Sequence, residues 1–221
     1  KRQTIYKRPI SKADPTERFV GKTCVLGLGY GTGAKKLQQT LSLGGADLDE
    51  AECERIVDLY RTTNNKITEL WKKSDKALGY IMNWSANSKS SSVGRKGIVT
   101  TDKQGLRLPN GLYIRYPRLR KDDGKILYES RRGLVSLWGG SVVENIVQAL
   151  ARIIIGEQML WIAQHYRPCL TVHDALVYVV PDEELESALE YIEMCMSTPP
   201  KWADGLPVAC EVKHGKSYGD C

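Results

Sequence analysis

The sequence has no C-x-x-C pair, no run of 18 apolar residues and no internal repeat, and each absence excludes a class of protein. The six cysteines (Cys24, Cys53, Cys169, Cys195, Cys210, Cys221) do not cluster with the three histidines, which argues against a zinc site or a disulfide framework and favours reduced thiols in a cytosolic protein. Without a long apolar run there is no candidate membrane span, and the opening KRQTIYKR has no apolar core of an export signal. It also lacks an initiator Met, so the expectation is a piece of a longer polypeptide. What is present is an ordinary soluble composition, 42% hydrophobic and 26% charged over 221 residues, enough for one large domain or two small ones.

The net charge of +6 is concentrated locally. Lys1, Arg2, Lys7 and Arg8 form one cluster; Arg115, Arg118, Arg120, Lys121, Lys125, Arg131 and Arg132 form another. Such clusters suit a polyanionic partner, because each neutralised phosphate releases condensed counterions. A solvated basic surface gives the same composition.

Hydrophobic periodicity sets the organisation. Residues 18–83 read as mainly helical: Asp47 or Asp49 can cap a helix, and Ile56, Leu59, Tyr60, Ile67, Leu70, Trp71, Leu78 and Ile81 recur at helical spacing. The Ser-rich stretch 85–97 reads as a mobile loop. Beyond it the pattern shortens to strands over 97–100, 112–116 and 125–129, with a turn at Asp122-Asp123-Gly124. A long helix apolar on most sides follows over 141–165. A hairpin with His173-Asp174-Ala175 between β-rich runs, an amphipathic helix starting near Pro181 and a last strand over 208–213 complete the chain. The fold class is α+β: a helical subdomain, 1–96, on an antiparallel sheet backed by helices, 97–221.

Two stretches carry chemistry. In the first, Gly29-x-Gly31-x-x-Ala34 satisfies the dinucleotide fingerprint if residues 22–28 form its strand and Asp49 is the ribose-binding acid, although no βαβ alternation follows. On a helix, the same stretch places Arg18, Lys22, Leu26 and Tyr30 four residues apart. Each step then drifts only about 40° around the axis, giving a stripe that could hold phosphates at one end and a base at the other. A third reading is an amphipathic helix running into a glycine turn, with ordinary surface cations. The second stretch is Val172-His173-Asp174. A carboxylate at the tip of a buried hairpin calls for a positive partner, and a divalent metal is one; Asp is also an ordinary turn residue.

Taken together, the motifs resemble those of the DNA polymerases of the bacterial polymerase I type, family A, and within it the bacteriophage-like branch. Arg18-x-x-x-Lys22-x-x-x-Leu26-x-x-x-Tyr30-Gly31 is similar to the family's fingers-helix motif, and Val172-His173-Asp174 to its palm hairpin. Between them, WGGSVVENIVQALAR from Trp138 to Arg152 is similar to the helix that carries a primer-template-contacting Gln. The ending Lys216-Ser-Tyr-Gly-Asp220 also resembles that of phage polymerases.

The resemblance implies template-directed DNA synthesis by two-metal phosphoryl transfer, with primer-template DNA and deoxynucleoside triphosphates as partners, Mg2+ as cofactor, no membrane, and the cytoplasm of a phage host as location. It implies that Arg18 and Lys22 contact the triphosphate, with Lys22 protonating the leaving pyrophosphate. Leu26 and Tyr30 would lie beside the incoming nucleotide and templating pair, with Gly31 permitting close packing. Gln148, with Asn145 near it, would contact the minor groove, His173 the primer-terminal backbone, and Asp174 the metal.

Several departures from the family bear on activity. Its D-Y-S/P-x-x-E motif has no counterpart in residues 1–17, so the second carboxylate, the thumb and any exonuclease are expected in the rest of a polymerase chain, and the 221 residues alone are expected to be inactive. Ala175 stands where relatives carry Glu, and Leu26 where they carry Phe or Tyr. Gly140 and Glu144 replace polar or basic residues. The rival functions are a non-catalytic DNA-binding module of the same fold and an NAD-binding oxidoreductase.

Overall fold

The computed structural model describes residues 5–95 and 97–221; Lys1 and Arg2 of the basic cluster, and Lys96 of the Ser-rich stretch, lie outside them. Two compact units are present. One comprises the described residues through Arg107 together with Tyr113–Ile146, the other Leu108–Leu112 and Val147–Cys221.

Between residues 15 and 82 the first unit is built of the helices α1 (Pro15–Leu28), α2 (Ala34–Leu43), α3 (Glu50–Thr63) and α4 (Asn65–Met82). Helix α1 starts with Pro at its first position, where the missing N–H costs nothing. Asp49 caps α3, its carboxylate accepting from the Glu52 amide. The apolar periodicity that continues from 56 to 81 is split at Asn64, whose side chain donates to the Tyr60 carbonyl and so ends α3. Val20, Cys24 and Leu28 of α1 pack with Leu37 and Leu41 of α2 and Cys53, Ile56 and Val57 of α3. Cys24 and Cys53 act there as small apolar groups, and burial pushes the Cys24 thiol up to about 11.

The expected single sheet is instead three small antiparallel ones. Strands β1 (Ser92–Val93), β2 (Val99–Asp102), β3 (Gly105–Arg107) and β4 (Tyr113–Ile114) form the first, so part of the Ser-rich stretch is ordered by pairing with β2. Strands β5 (Arg120–Asp122), β6 (Lys125–Ser130) and β7 (Gly133–Leu137) form the second. Its first turn is the Asp123-Gly124 pair, both at positive φ (44° and 73°), as a twisted two-residue hairpin requires.

Helix α5 (Gly139–Ile162) gives its first turns to the first unit and its remainder to the second. The second unit also holds the hairpin β8 (Pro168–Val172) and β9 (Ala175–Tyr178) and helix α6 (Leu185–Ser197). Gln158, 1% exposed, donates its amide to the carbonyls of Met196 and Thr198 at 2.7 and 3.1 Å, satisfying the open end of α6. The acids at 182–184 form a 3-10 turn before α6 rather than its first turn. Residues 208–213 form no strand: alternation of side chains makes a strand only where a neighbouring edge offers a ladder, and β8 and β9 pair only with each other.

Helix α4 joins the pieces of the first unit. Trp71 donates its indole N–H to the Gly29 carbonyl at 3.1 Å, closing the end of α1. One turn on, Asp75 accepts from the Gly139 amide at 2.5 Å, capping the start of α5 from 64 residues away in sequence. Burial raises the Asp75 pKa, and the Gly139 hydrogen bond only partly offsets it. A folded pKa above the unfolded one means that stability falls as pH rises through the region just above the ordinary carboxylate value. Asp75→Ala, which removes a remote N-cap, is expected to cost about 1 to 2 kcal/mol. Asp75→Asn, which keeps an acceptor and loses the buried charge, should cost less and abolish that pH slope. Thermal unfolding from pH 4 to 7 checks both.

Candidate nucleotide and primer-template site

Helix α1 sorts its side chains by face. Val20, Gly21, Cys24 and Leu28 are buried, which turns Arg18, Lys22 and Leu26 outward together, Leu26 being 60% exposed. This is the spacing argument realised: positions four apart drift slowly, so two cations and an apolar side chain share one exposed surface. Residues 22–28 are helical and not a strand, so the dinucleotide fingerprint lacks the strand its glycine turn must follow.

The end of the stripe is built by glycine. Thr32 N–H donates to the Gly27 carbonyl at 3.2 Å and Gly31 N–H to Leu28 at 3.2 Å. With Gly31 at φ 88°, this is a Schellman closure that makes Tyr30 the C-cap. Gly31 is required twice, since its φ is left-handed and an added Cβ would lie 2.1 Å from the Trp138 ring. A Cβ at Gly140 would also lie 2.3 Å from that ring. Gly140, a departure from the family pattern, is thus explained by the ring of Trp138. Trp138 meets Trp71 edge-on, centroids 5.5 Å apart, so the half-buried Tyr30 is held next to a rigid aromatic frame. The sequence analysis used Trp138 only as the start of a helix motif and missed this frame; its signal was a Trp followed at once by two glycines.

Asn145, half-buried, donates its amide to the Tyr116 hydroxyl at 3.0 Å. The charged cluster downstream is presented on the β5–β7 ribbon. Arg118 and Arg120 both face Glu129, at 2.8 and 3.8 Å, whereas Arg131 and Arg132 occupy the exposed β6–β7 turn.

In the second unit, Gln148 is exposed on α5 and is not a core amide. Val172 pairs with Ala175, leaving His173-Asp174 as a two-residue turn. The turn is exposed rather than buried, because a two-stranded ribbon projects its tip into solvent, and the Asp174 carboxylate therefore needs no compensating charge to exist there. His173 sits at φ 54°, a left-handed conformation costing about 1 to 2 kcal/mol for a residue with a Cβ, and such strain persists where the surroundings impose it. Among the described residues no three His, Cys, Asp or Glu side chains converge on a point that could hold a metal ion. Asp174 offers one ligand, and with Ala175 beside it the turn does not by itself form a magnesium site.

On β9, the Tyr178 hydroxyl is buried with no hydrogen-bond partner among the described residues. Burial first, then the Cys195 and Cys169 thiols, push its pKa up to about 12. Tyr178→Phe is expected to stabilise the protein by about 1 kcal/mol at neutral pH, since it deletes an unpaired polar atom. Between pH 10 and 12 the unfolded tyrosine ionises before the folded one, so the wild-type chain loses stability there. The variant's advantage should therefore widen over that range, as denaturant titrations at pH 8 to 11.5 would report.

No family model matches the chain. Over 94% of its length, however, it is 32% identical to the DNA polymerase of Bacillus phage SP02, of which it covers 34%. Over 92% of its length it is 22% identical to the DNA polymerase I of Synechocystis, of which it covers 19%. The chain thus spans about a third and a fifth of the lengths of these two relatives. Both are DNA polymerases, as the order of the motifs implied, and this chain is their relative along nearly all its residues.

Proposed function

We propose that this chain, a relative of the DNA polymerases, is the fingers and palm portion of a template-directed DNA polymerase of the polymerase I type, fingers over 1–96 and palm over 97–221. The observation that carries the reading is the exposed row Arg18, Lys22 and Leu26 closed by Tyr30 and Gly31, on a chain whose relatives are DNA polymerases. Arg18 and Lys22 are fixed cations on one helix face and would bind the triphosphate of a deoxynucleotide. Charge neutralisation and positioning are most of what phosphoryl transfer asks of a protein. Lys22 would also hold the proton that the leaving pyrophosphate takes up. Leu26 would lie against the sugar and Tyr30 at the base, its backbone fixed by the Gly31 closure.

In the palm, Gln148 would meet minor-groove acceptors shared by all base pairs, with Asn145 a little under one turn away on the same helix, and His173 would approach the primer-terminal phosphate. Asp174 would contribute one carboxylate toward Mg2+. The remaining carboxylates would come from a polymerase segment outside residues 1–221, together with the thumb.

Primer extension by the full polypeptide carrying this segment tests the reading. With magnesium and all four deoxynucleotides, Asp174→Asn should abolish template-dependent extension, and Lys22→Ala should lower kcat/KM for the nucleotide by on the order of 100-fold or more. Extension that survives Asp174→Asn would overturn it, and tight DNA binding without extension would favour the non-catalytic module. Leu26 is exposed, so Leu26→Phe should leave stability within about 0.5 kcal/mol. It should alter the ratio of deoxy- to ribonucleotide incorporation, measured by single-nucleotide extension.

A further inference from the structure

The outward face of α4 carries a feature that the polymerase motifs do not use. Lys72, Lys76 and Tyr80 follow one another at four-residue spacing and are all exposed, so they form a single stripe opposite the inward-turned Trp71. Tyr80 is 53% exposed. It walls a shallow concavity whose other lining residues are Lys76, Gly79, Asn83 and Ser88. Among the described residues the one ion pair on α4 is Lys66 with Glu69 at 3.3 Å, so no carboxylate among them pairs with Lys72, Lys73 or Lys76. The nearest carboxylate in sequence, Asp75, is half-buried and committed to the Gly139 amide.

Gly79 gives an independent observation. It lies inside a helix, where glycine destabilises relative to alanine. Yet a Cβ built on it would meet nothing within 4 Å, so no packing inside the chain requires its absence. A bare backbone floor next to an exposed aromatic wall, with amide, hydroxyl and ammonium groups around it, is shaped for a flat ligand carrying a negative charge on one side.

We propose that this concavity holds an unpaired nucleotide of single-stranded DNA, its base stacked on Tyr80 over Gly79 and its phosphates along Lys76 and Lys72. Sequence-tolerant single-strand binding is built from these parts, an aromatic face for the base and a basic track for the backbone. For the identity of the strand this rests on the polymerase reading: the unpaired DNA such a protein meets is the template ahead of the primer end.

The test is fluorescence anisotropy with two labelled DNAs, a blunt duplex and the same duplex with a short 5′ thymidine overhang. The overhang is expected to tighten binding by the wild-type protein. Tyr80→Ala should weaken the overhang complex by on the order of tenfold and leave the blunt complex unchanged, while Tyr80→Phe retains wild-type affinity. Lys76→Ala should lessen the salt dependence of overhang binding by about one ion. Gly79→Ala should raise the melting temperature and still lose overhang affinity, a combination that a purely structural glycine would not show. Equal overhang affinity in Tyr80→Ala and wild type, with the duplex bound by both, overturns this proposal and leaves the polymerase reading standing. Failure of the wild-type protein to bind either DNA overturns that reading and this proposal with it.

Discussion

Two side chains one turn apart on α4 hold the first unit in register. The Trp71 indole closes the carbonyl end of α1, and the Asp75 carboxylate closes the amide end of α5. Helix ends leave backbone groups unpaired, and a buried unpaired group costs as much as a lost hydrogen bond. By satisfying one group on each of two other helices, α4 fixes where both begin and end. The Trp138 ring, edge-on to Trp71, lies so close to Gly31 and Gly140 that a side chain on either glycine would overlap it.

That frame gives the exposed stripe of α1 its significance. A lone amphipathic helix with Arg and Lys on its outer face is among the commonest objects on a protein surface. Here the helix is anchored at its C-terminal end, so the cations and Leu26 project from a rigid rod and Tyr30 is held at a backbone-defined cap. Electrostatic work on a triphosphate depends on such preorganisation, because charges that need not move to meet the developing charge cost no reorganisation. The β8–β9 turn is organised differently. His173-Asp174 is presented by a two-stranded ribbon with a strained φ at His173, and its carboxylate stands in solvent.

The two faces of α4 show how one helix divides its labour. Inward, Trp71 and Asp75 serve neighbours; outward, Lys72, Lys76 and Tyr80 are exposed and make no ion pair or hydrogen bond among the described residues. The structural demands of the first face set the orientation of the second, and the half-buried Gly79, whose added Cβ would meet nothing within 4 Å, lies between the two rows.

Sequence alone was enough for what depends on local period and backbone chemistry. The helices of 18–83, the long apolar helix now seen as α5, the Asp123-Gly124 turn and the outward row Arg18, Lys22 and Leu26 follow from spacing, because a helix or hairpin obeys a fixed geometry wherever it occurs. The order of three motifs pointed to DNA polymerases, and the relatives agree. Tertiary structure decided what depends on partners distant in the chain. Residues 208–213 alternate like a strand but find no edge; the sheets number three because pairing, not propensity, makes a sheet. The tip at Asp174 is exposed because burial is a property of surroundings. Trp71, Asp75 and Trp138 were legible as residues but not as a frame: their partners Gly29, Gly139 and Gly31 lie 42 to 107 positions away, a separation along which no periodicity carries information, and only the folded chain brings each donor to its acceptor.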